Sequence, residues 1–338
     1  MAARPAAQGG MTVDVLSDVL RAVRLTGTTY FHFELSAPWV VESPPSSEIA
    51  GTVMPAAQRV IEYHLIARGS GWGHALGEQP RRLREGDLII FPHGDAHVLS
   101  SAPGMRSAPD MHAFVRASPR PRFYELGGGG PERAQVVCCF LGCDERPFNP
   151  LLNALPAVIH LSSSLASGGR ADSTAWLATL MNVAARESVG ARAGSENVLA
   201  RLSELMFVET IRLYLETLPP AQTGWLAGLR DPMVGQALAA LHREPRASWT
   251  VERLARAVGR SRSVLAERFT LMVGDPPMQY LALWRMQLAS RLLLEGGDVA
   301  TIAGAVGYES EAAFSRAFKK LVGQPPSSWR RIALSPEP

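Results

Sequence analysis

Two textures of hydrophobic patterning divide the chain. Beyond about residue 230 apolar positions recur every three to four residues, as in helices with one buried face. Ahead of about residue 150 they come in short runs broken by glycine, proline and serine, as in strands. In the C-terminal part Asp298 can cap a helix over Val299, Ile302, Ala303 and Val306, which Gly307 ends with a positive φ before Tyr308 starts a turn. Ser310 then caps a second helix with Phe314, Phe318 and Leu321 inward and Glu311, Ala312, Ser315, Arg316 and Lys319 outward. This is the order of a helix-turn-helix whose second helix can enter a major groove.

The same order occurs earlier. Thr250 caps a helix over Val251, Leu254, Ala255 and Val258, Gly259 ends it, and Ser261 caps a second helix carrying Leu265, Phe269 and Met272. Gly274 with Pro276-Pro277 stops that helix, as Gly323 with Pro325-Pro326 stops the later one. Between the copies, Met278 to Leu294 lacks proline and glycine and spaces Leu281, Trp284, Leu288 and Leu292 as one amphipathic linker helix. Two units joined by one helix, with Gly307-Tyr308-Glu309-Ser310, Phe314 to Lys320 and Gly323-Gln324-Pro325-Pro326, resemble the DNA-binding domain of AraC/XylS-type transcription regulators over roughly Asp231 to Ile332.

In the N-terminal part the strand candidates are Tyr30–Leu35, Val60–Ala67, Asp87–Phe91, Met111–Val115 and Gln135–Leu141, with turn-rich stretches at Ser43–Ser47 and Gly127–Pro131. Several short strands at this spacing imply a small barrel or jelly roll. Gly86, Pro92, Gly94 and His97 fit G-x5-P-x-G-x2-H, which resembles the second motif of cupin barrels; Glu62-Tyr63-His64 stands where cupins carry His-x-His, with Gly69 and Gly71 following as a turn. Over about Val13 to Asp144 the chain thus looks like the cupin-type sensor domain of one branch of these regulators.

Helical periodicity returns from Pro150 to Leu218. One stripe holds Trp176, Leu177, Leu180, Met181 and Ala184, and another runs from Val198 to Leu215. The family resemblance implies a homodimer through this region, whereas periodicity alone fits packing within the chain equally well. Pro219-Pro220 and Gly224 mark a linker, and Trp225 to Leu229 a short docking element. The expected architecture is α+β: residues 1–149 a cupin-like β-barrel sensor, 150–229 a helical linker and dimerisation region, and 230–333 an all-α domain with two helix-turn-helix units.

Composition adds limits. With 338 residues and 46% hydrophobic content the chain can bury two ordinary cores, and two or three domains are expected. The formal charge is +3, but residues 231–338 carry 14 Lys/Arg against 10 Asp/Glu, leaving 20 against 21 elsewhere. Cations therefore collect at the end expected to meet phosphates. No window has the roughly 18 apolar residues of a membrane span, and the N-terminus lacks a signal-peptide pattern, so a cytoplasmic protein is expected. Cys138, Cys139 and Cys143 have no zinc-type CxxC partner pair and are expected as thiols.

The resemblance also assigns roles. Ser263, Ala266 and Glu267 in the first unit and Ala312, Ala313 and Arg316 in the second match positions that usually face bases. Arg316 can donate two hydrogen bonds to guanine, with a phosphate contact as its alternative. Glu267 departs from the expected basic residue; it can accept from cytosine or pair with Arg268 or Arg262. Arg260, Arg262, Lys319 and Lys320 suit phosphates. His64 and His97, with Glu62 or His93, could hold zinc, nickel or iron, or line a pocket that has lost its metal and takes an organic ligand. Cys138 and Cys139 are neighbours on a strand, so only one can face the interior. The expectation is a one-component regulator that binds double-stranded promoter DNA in response to a small-molecule effector, its reading helices about 34 Å apart. RNA polymerase is a further partner implied by the family. The alternatives are a metal- or thiol-responsive regulator and a cupin metalloenzyme with a DNA-binding tail.

Overall fold

The computed structural model describes residues 14–22, 25–54, 57, 59–107, 123–143, 148–162, 169–189, 192–219 and 222–334. The strand expected at Met111–Val115 lies outside them. The chain forms two compact units, one from 23–145 with 152–219, the other from 1–22, 146–151 and 220–338. Helix α1 (Val15–Ala22) belongs to the second unit.

In the first unit, β1 (Leu25–Ser36), β3 (Arg59–Arg68), β6 (Leu88–Phe91), β8 (Phe123–Gly127), β9 (Arg133–Cys143) and β10 (Ile159–Leu161) form a sheet in the order β10-β6-β3-β9-β1-β8. A smaller sheet, β2-β7-β4-β5, is made of β2 (Val40–Ser43), β4 (Ser70–Ala75), β5 (Arg81–Arg84) and β7 (His97–Ser100). Phe31, Phe33, Ile89, Phe91, Val136 and Phe140 of the larger sheet share one core with Leu83 and Leu99 of the smaller, the two-sheeted form of the expected barrel. Helix α2 (Ser46–Val53) follows β2, and the short α3 (Pro150–Asn153) follows β9.

Two long helices, α4 (Gly169–Val189) and α5 (Ser195–Thr217), cover the outer face of the larger sheet, where the Tyr30 hydroxyl lies 3.4 Å from Ser203 Oγ. Covered on both faces, β3 is buried without alternation from Val60 to Ile66, its apolar run interrupted by the polar Glu62 and His64. The smaller sheet was invisible to pattern because β4, Ser-Gly-Trp-Gly-His-Ala, looks like a turn. Gly69 does turn, at φ 80°, but Gly71 is in the strand, where the Trp39 ring occupies the space a Cβ would need. Trp176 also differs from expectation: Leu177, Leu180, Met181 and Ala184 are buried, while Trp176 is 48% exposed.

The second unit continues with α6 (Trp225–Arg230), α7 (Pro232–Arg243), α8 (Val251–Ala257), α9 (Arg262–Val273), α10 (Pro277–Leu294), α11 (Val299–Ala305), α12 (Glu311–Val322) and α13 (Pro326–Leu334). All four expected caps form: Thr250, Ser261, Asp298 and Ser310 accept from the backbone N–H of Arg253, Val264, Thr301 and Ala313. Leu265, Phe269, Phe314 and Phe318 are fully buried.

The linker helix α10 is buried on two sides rather than one. Tyr280 and Trp284 face His242 of α7, while Met286, Ala289 and Leu293, on the opposite side, pack with Ile302, Phe314 and Phe318. A helix between two helix-turn-helix units must offer each an apolar stripe. Helix α1 adds a third partner: Gln287 Nε2 donates to the Ala22 carbonyl at 3.1 Å, and Asp18 Oδ2 lies 3.7 Å from His242 Nδ1. These contacts group α1 with residues 220–338, whereas the sequence placed it with the sensor.

Candidate functional site

The outward faces of α9 and α12 present the residues expected at DNA. Ser263 and Glu267 are exposed and Ala266 half-buried on α9; Ala312 and Arg316 are exposed and Ala313 half-buried on α12. The cap geometry fixes these faces, because each helix starts at a serine and turns its central phenylalanine into the core. Arg268 donates to Asp231 at 3.0 and 2.9 Å, and Arg262 lies 3.0 Å from Glu252. Neither arginine pairs with Glu267, so both ion-pair alternatives for that carboxylate are absent among the described residues. Arg316 likewise has no hydrogen bond or ion pair among them. Arg260 donates to the Gly259 carbonyl, and Lys319 and Lys320 stand exposed in the last turn of α12.

The second constellation lies inside the barrel. Glu62 and His64 alternate along β3, His97 opens β7, and one ligand atom from each lies within 4.8 Å of the others. Gly94 makes this approach work: at φ 64° it turns the chain between β6 and β7, and a Cβ there would lie 1.9 Å from Ser46 Oγ. His97 Nδ1 lies 2.8 Å from the Asp95 carbonyl, which can only accept, so Nδ1 carries the proton and the Nε2 lone pair faces inward. His64 Nε2 lies 2.9 Å from His97 Nε2 and must donate to it, leaving His64 Nδ1 to accept from Cys138 Sγ at 2.7 Å. The β3–β9 register sets His64 opposite Cys138, which places the thiol beside the ring.

Burial keeps these groups neutral. The Glu62 carboxyl is pushed up to about 8 by desolvation, His97 is lowered to about 4, and His64 falls well below its ordinary value. The 3.7 Å approach of His97 Nε2 to Glu62 Oε2 is therefore not an ion pair near pH 7. Glu62 Oε2 accepts from Ser43 Oγ at 3.5 Å, while its buried Oε1 has no hydrogen-bond partner among the described residues. The surrounding cavity, with Phe31, Trp39, Leu99 and Phe140 among its walls, has about 20 Å³ of free space, enough for a water or an ion.

His93, offered by the sequence as an alternative ligand, is directed elsewhere. It lies in the turn after β6, and its Nε2 is 2.9 Å from the Leu155 carbonyl. Of the adjacent cysteines, Cys138 lines the cavity, and Cys139, on the other face of β9, is in contact with Tyr30. Burial raises the Cys138 thiol far above its usual value and Cys139 to about 12; Cys143 is buried at the strand end. Sequence reasoning missed Ser43 and Asp95. The two-residue spacing of Asp95 and His97 was the available signal for the latter.

Comparison with known proteins identifies both domain types. A family model described as a cupin matches residues 14–216, and one described as a helix-turn-helix domain matches residues 254–332. A putative AraC-like transcription regulator of Streptomyces lividans is 35% identical over 83% of this chain and 90% of its own length. Another, from Streptomyces antibioticus, is 35% identical over 81% of this chain and 88% of its own. The HTH-type transcriptional regulator AlkR of Acinetobacter baylyi is 29% identical over 94% and 99%. No described helix is long and apolar enough to cross a membrane. With relatives matched across both units and both domain types identified, this chain belongs to the AraC-like transcription regulators, DNA-binding proteins that here carry an N-terminal cupin domain.

Proposed function

We propose that α9 and α12 read two successive major-groove segments of promoter DNA, and that a signal received by the cupin domain governs this reading. The observation that carries it is the pair of equivalent capped helices whose outward faces keep Glu267 and Arg316 without partners among the described residues. Arg316 is assigned to a guanine and Glu267 to a cytosine N4; Ser263, Ala266, Ala312 and Ala313 provide close approach, and Arg260, Arg262, Lys319 and Lys320 hold phosphates. Hydroxyl-radical footprinting on a duplex selected from random-sequence DNA tests this. Two protected patches one helical turn apart per protomer are expected; protection independent of sequence overturns it.

The working form is a homodimer. Trp176 and Val183 on α4, and Val198 and Leu205 on α5, sit seven residues apart on their helices and are 40–48% exposed. Such pairs leave an apolar face that a second copy can cover. RNA polymerase is the further partner that membership of this family suggests.

For the signal, a divalent cation suits the barrel better than an organic effector. Two inward imidazole nitrogens and a carboxylate are a donor set for zinc, nickel or iron, and the unsatisfied Glu62 Oε1 is a buried acceptor awaiting a partner. Glu62, His64 and His97 would hold the ion, which when bound would tie β3 of one sheet to β7 of the other. The small free space, about 20 Å³, suits an ion or a water better than an organic substrate, which favours a regulator over a metalloenzyme. The buried, protonated thiols disfavour redox sensing. Metal analysis of the full-length protein after dialysis against zinc, nickel or ferrous iron tests this reading: one retained ion per protomer supports it, and none overturns it.

A further inference from the structure

We propose that Arg285 is the positioning residue that fixes the two DNA-reading helices relative to one another. This rests on the reading that both α9 and α12 engage DNA. Arg285 lies midway along α10 and is not on either reading helix. Its Nε donates to the Pro245 carbonyl at 2.7 Å and an Nη to the Ala247 carbonyl at 2.8 Å. Those carbonyls belong to the turn that delivers α8, the first helix of the first unit. The turn is held internally as well: Ala247 N donates to the Glu244 carbonyl at 3.1 Å, and Trp249 Nε1 to the same carbonyl at 3.0 Å.

The other side of the guanidinium meets the second unit. Its Cζ lies 5.7 Å from the Tyr308 ring centroid, and Tyr308 packs at 5.6 Å on Phe314 of α12. Gly307, at φ 87°, lets the two turns touch: a Cβ there would lie 2.5 Å from the Arg246 carbonyl oxygen. A path of direct contacts therefore runs from the turn before α8, through Arg285, to the turn before α12. The apolar stripes of α10 hold each unit to the rod, but they have no donor that fixes both turns at once. A planar guanidinium can bond two carbonyls and present a face to an aromatic ring, whereas an ammonium is a point charge. With two of its five N–H donors held by carbonyls and its side chain half-buried, Arg285 is committed to the turn before α8 rather than extended toward solvent like Arg316.

Two linked readers gain affinity from effective concentration only while their geometry matches the site. The test uses the full-length protein and a duplex selected from random-sequence DNA, with derivatives in which either half is scrambled or one base pair is inserted between the halves. For Arg285→Ala, affinity for the intact duplex is expected to fall at least about tenfold (about 1.4 kcal/mol). Affinity for the scrambled duplexes should stay within about twofold, and the insertion should be tolerated better than by the wild type. Arg285→Lys should fall between the two proteins. Equal losses on intact and scrambled duplexes, or no loss, overturn the proposal. If Arg285→Ala shows no melting transition, Tyr308→Leu, which keeps an apolar contact to Phe314, carries the same comparison with the same two outcomes. A wild-type protein that needs only one half overturns the two-helix reading, and the clamp with it.

Discussion

Replacing Arg316 with alanine separates reading of sequence from attraction to phosphate. The side chain is exposed on α12 and has no hydrogen bond or ion pair among the described residues, so its removal creates no cavity and strands no partner. Folding stability should change by less than about 0.5 kcal/mol. A bidentate contact to guanine O6 and N7 contributes about 1–3 kcal/mol of discrimination, or about 5- to 150-fold at one base pair. Fluorescence anisotropy against the selected duplex and its single-base-pair variants would measure this. The expected result is that preference collapses at one position while the other positions keep their order. If all duplexes weaken equally and the salt slope falls by about one, Arg316 is a phosphate contact and its assignment is refuted. Glu267→Ala is the matched control, with its effect confined to a position in the other half.

The remaining predictions concern the sensor, the dimer and α1. Glu62→Gln should abolish retention of zinc or nickel after dialysis while His93→Ala leaves it intact; in the wild type, the ion at about 100 times its Kd should add about 2.7 kcal/mol to stability, read by thermal melting. Val198→Glu with Leu205→Glu should give a monomer by sedimentation that keeps its melting transition, because both positions are exposed within the protomer. Burial lowers the pKa of His242, which faces Asp18 of α1 and the hydroxyl of Tyr280, with Trp284 stacked on its ring; Asp18, paired with Arg21 as well, is held below its usual value. A lowered histidine pKa means the unfolded state binds the extra proton, so stability should fall as pH drops through about 6.5, by at most about 1.4 kcal/mol per pH unit. Asp18 adds a further loss only below about 3.8. Hydrogen exchange of α7 and α10 between pH 7 and 5 checks this: His242→Gln should flatten the dependence, and protection that rises on acidification contradicts it.

The parts of the fold legible in the sequence were those written in local chemistry. Asp298, Ser310, Thr250 and Ser261 announce helix starts through side chains that bond backbone three residues on, and the second copy repeats the code. The smaller sheet was illegible because β2, β4, β5 and β7 are four to six residues long and only β4 and β5 pair with a neighbour in sequence; β7 pairs with β4 and with the distant β2. Helix α1 was missed for a related reason: its partners, His242 and Gln287, are more than 200 residues away. The sensor was half legible. The Gly86 to His97 spacing located His97, and the Glu62-Tyr63-His64 match to the first motif located the other two, but only the β3–β9 register brings Cys138 to His64, and only the turn geometry sends His93 to Leu155. Likewise the spacing of Leu281, Trp284, Leu288 and Leu292 located α10, while its second buried stripe became visible once both units packed against it.

The most direct test of the account is genome-wide occupancy of the full-length protein in its native cells, compared with the Arg316→Ala, Glu267→Ala double variant. Wild-type protein should occupy discrete promoter sites sharing a two-part sequence with half-site centres about 10 base pairs apart, and the double variant should lose those sites while keeping its cellular level. Occupancy spread along DNA without a shared sequence, or a map unchanged by the double substitution, would contradict it.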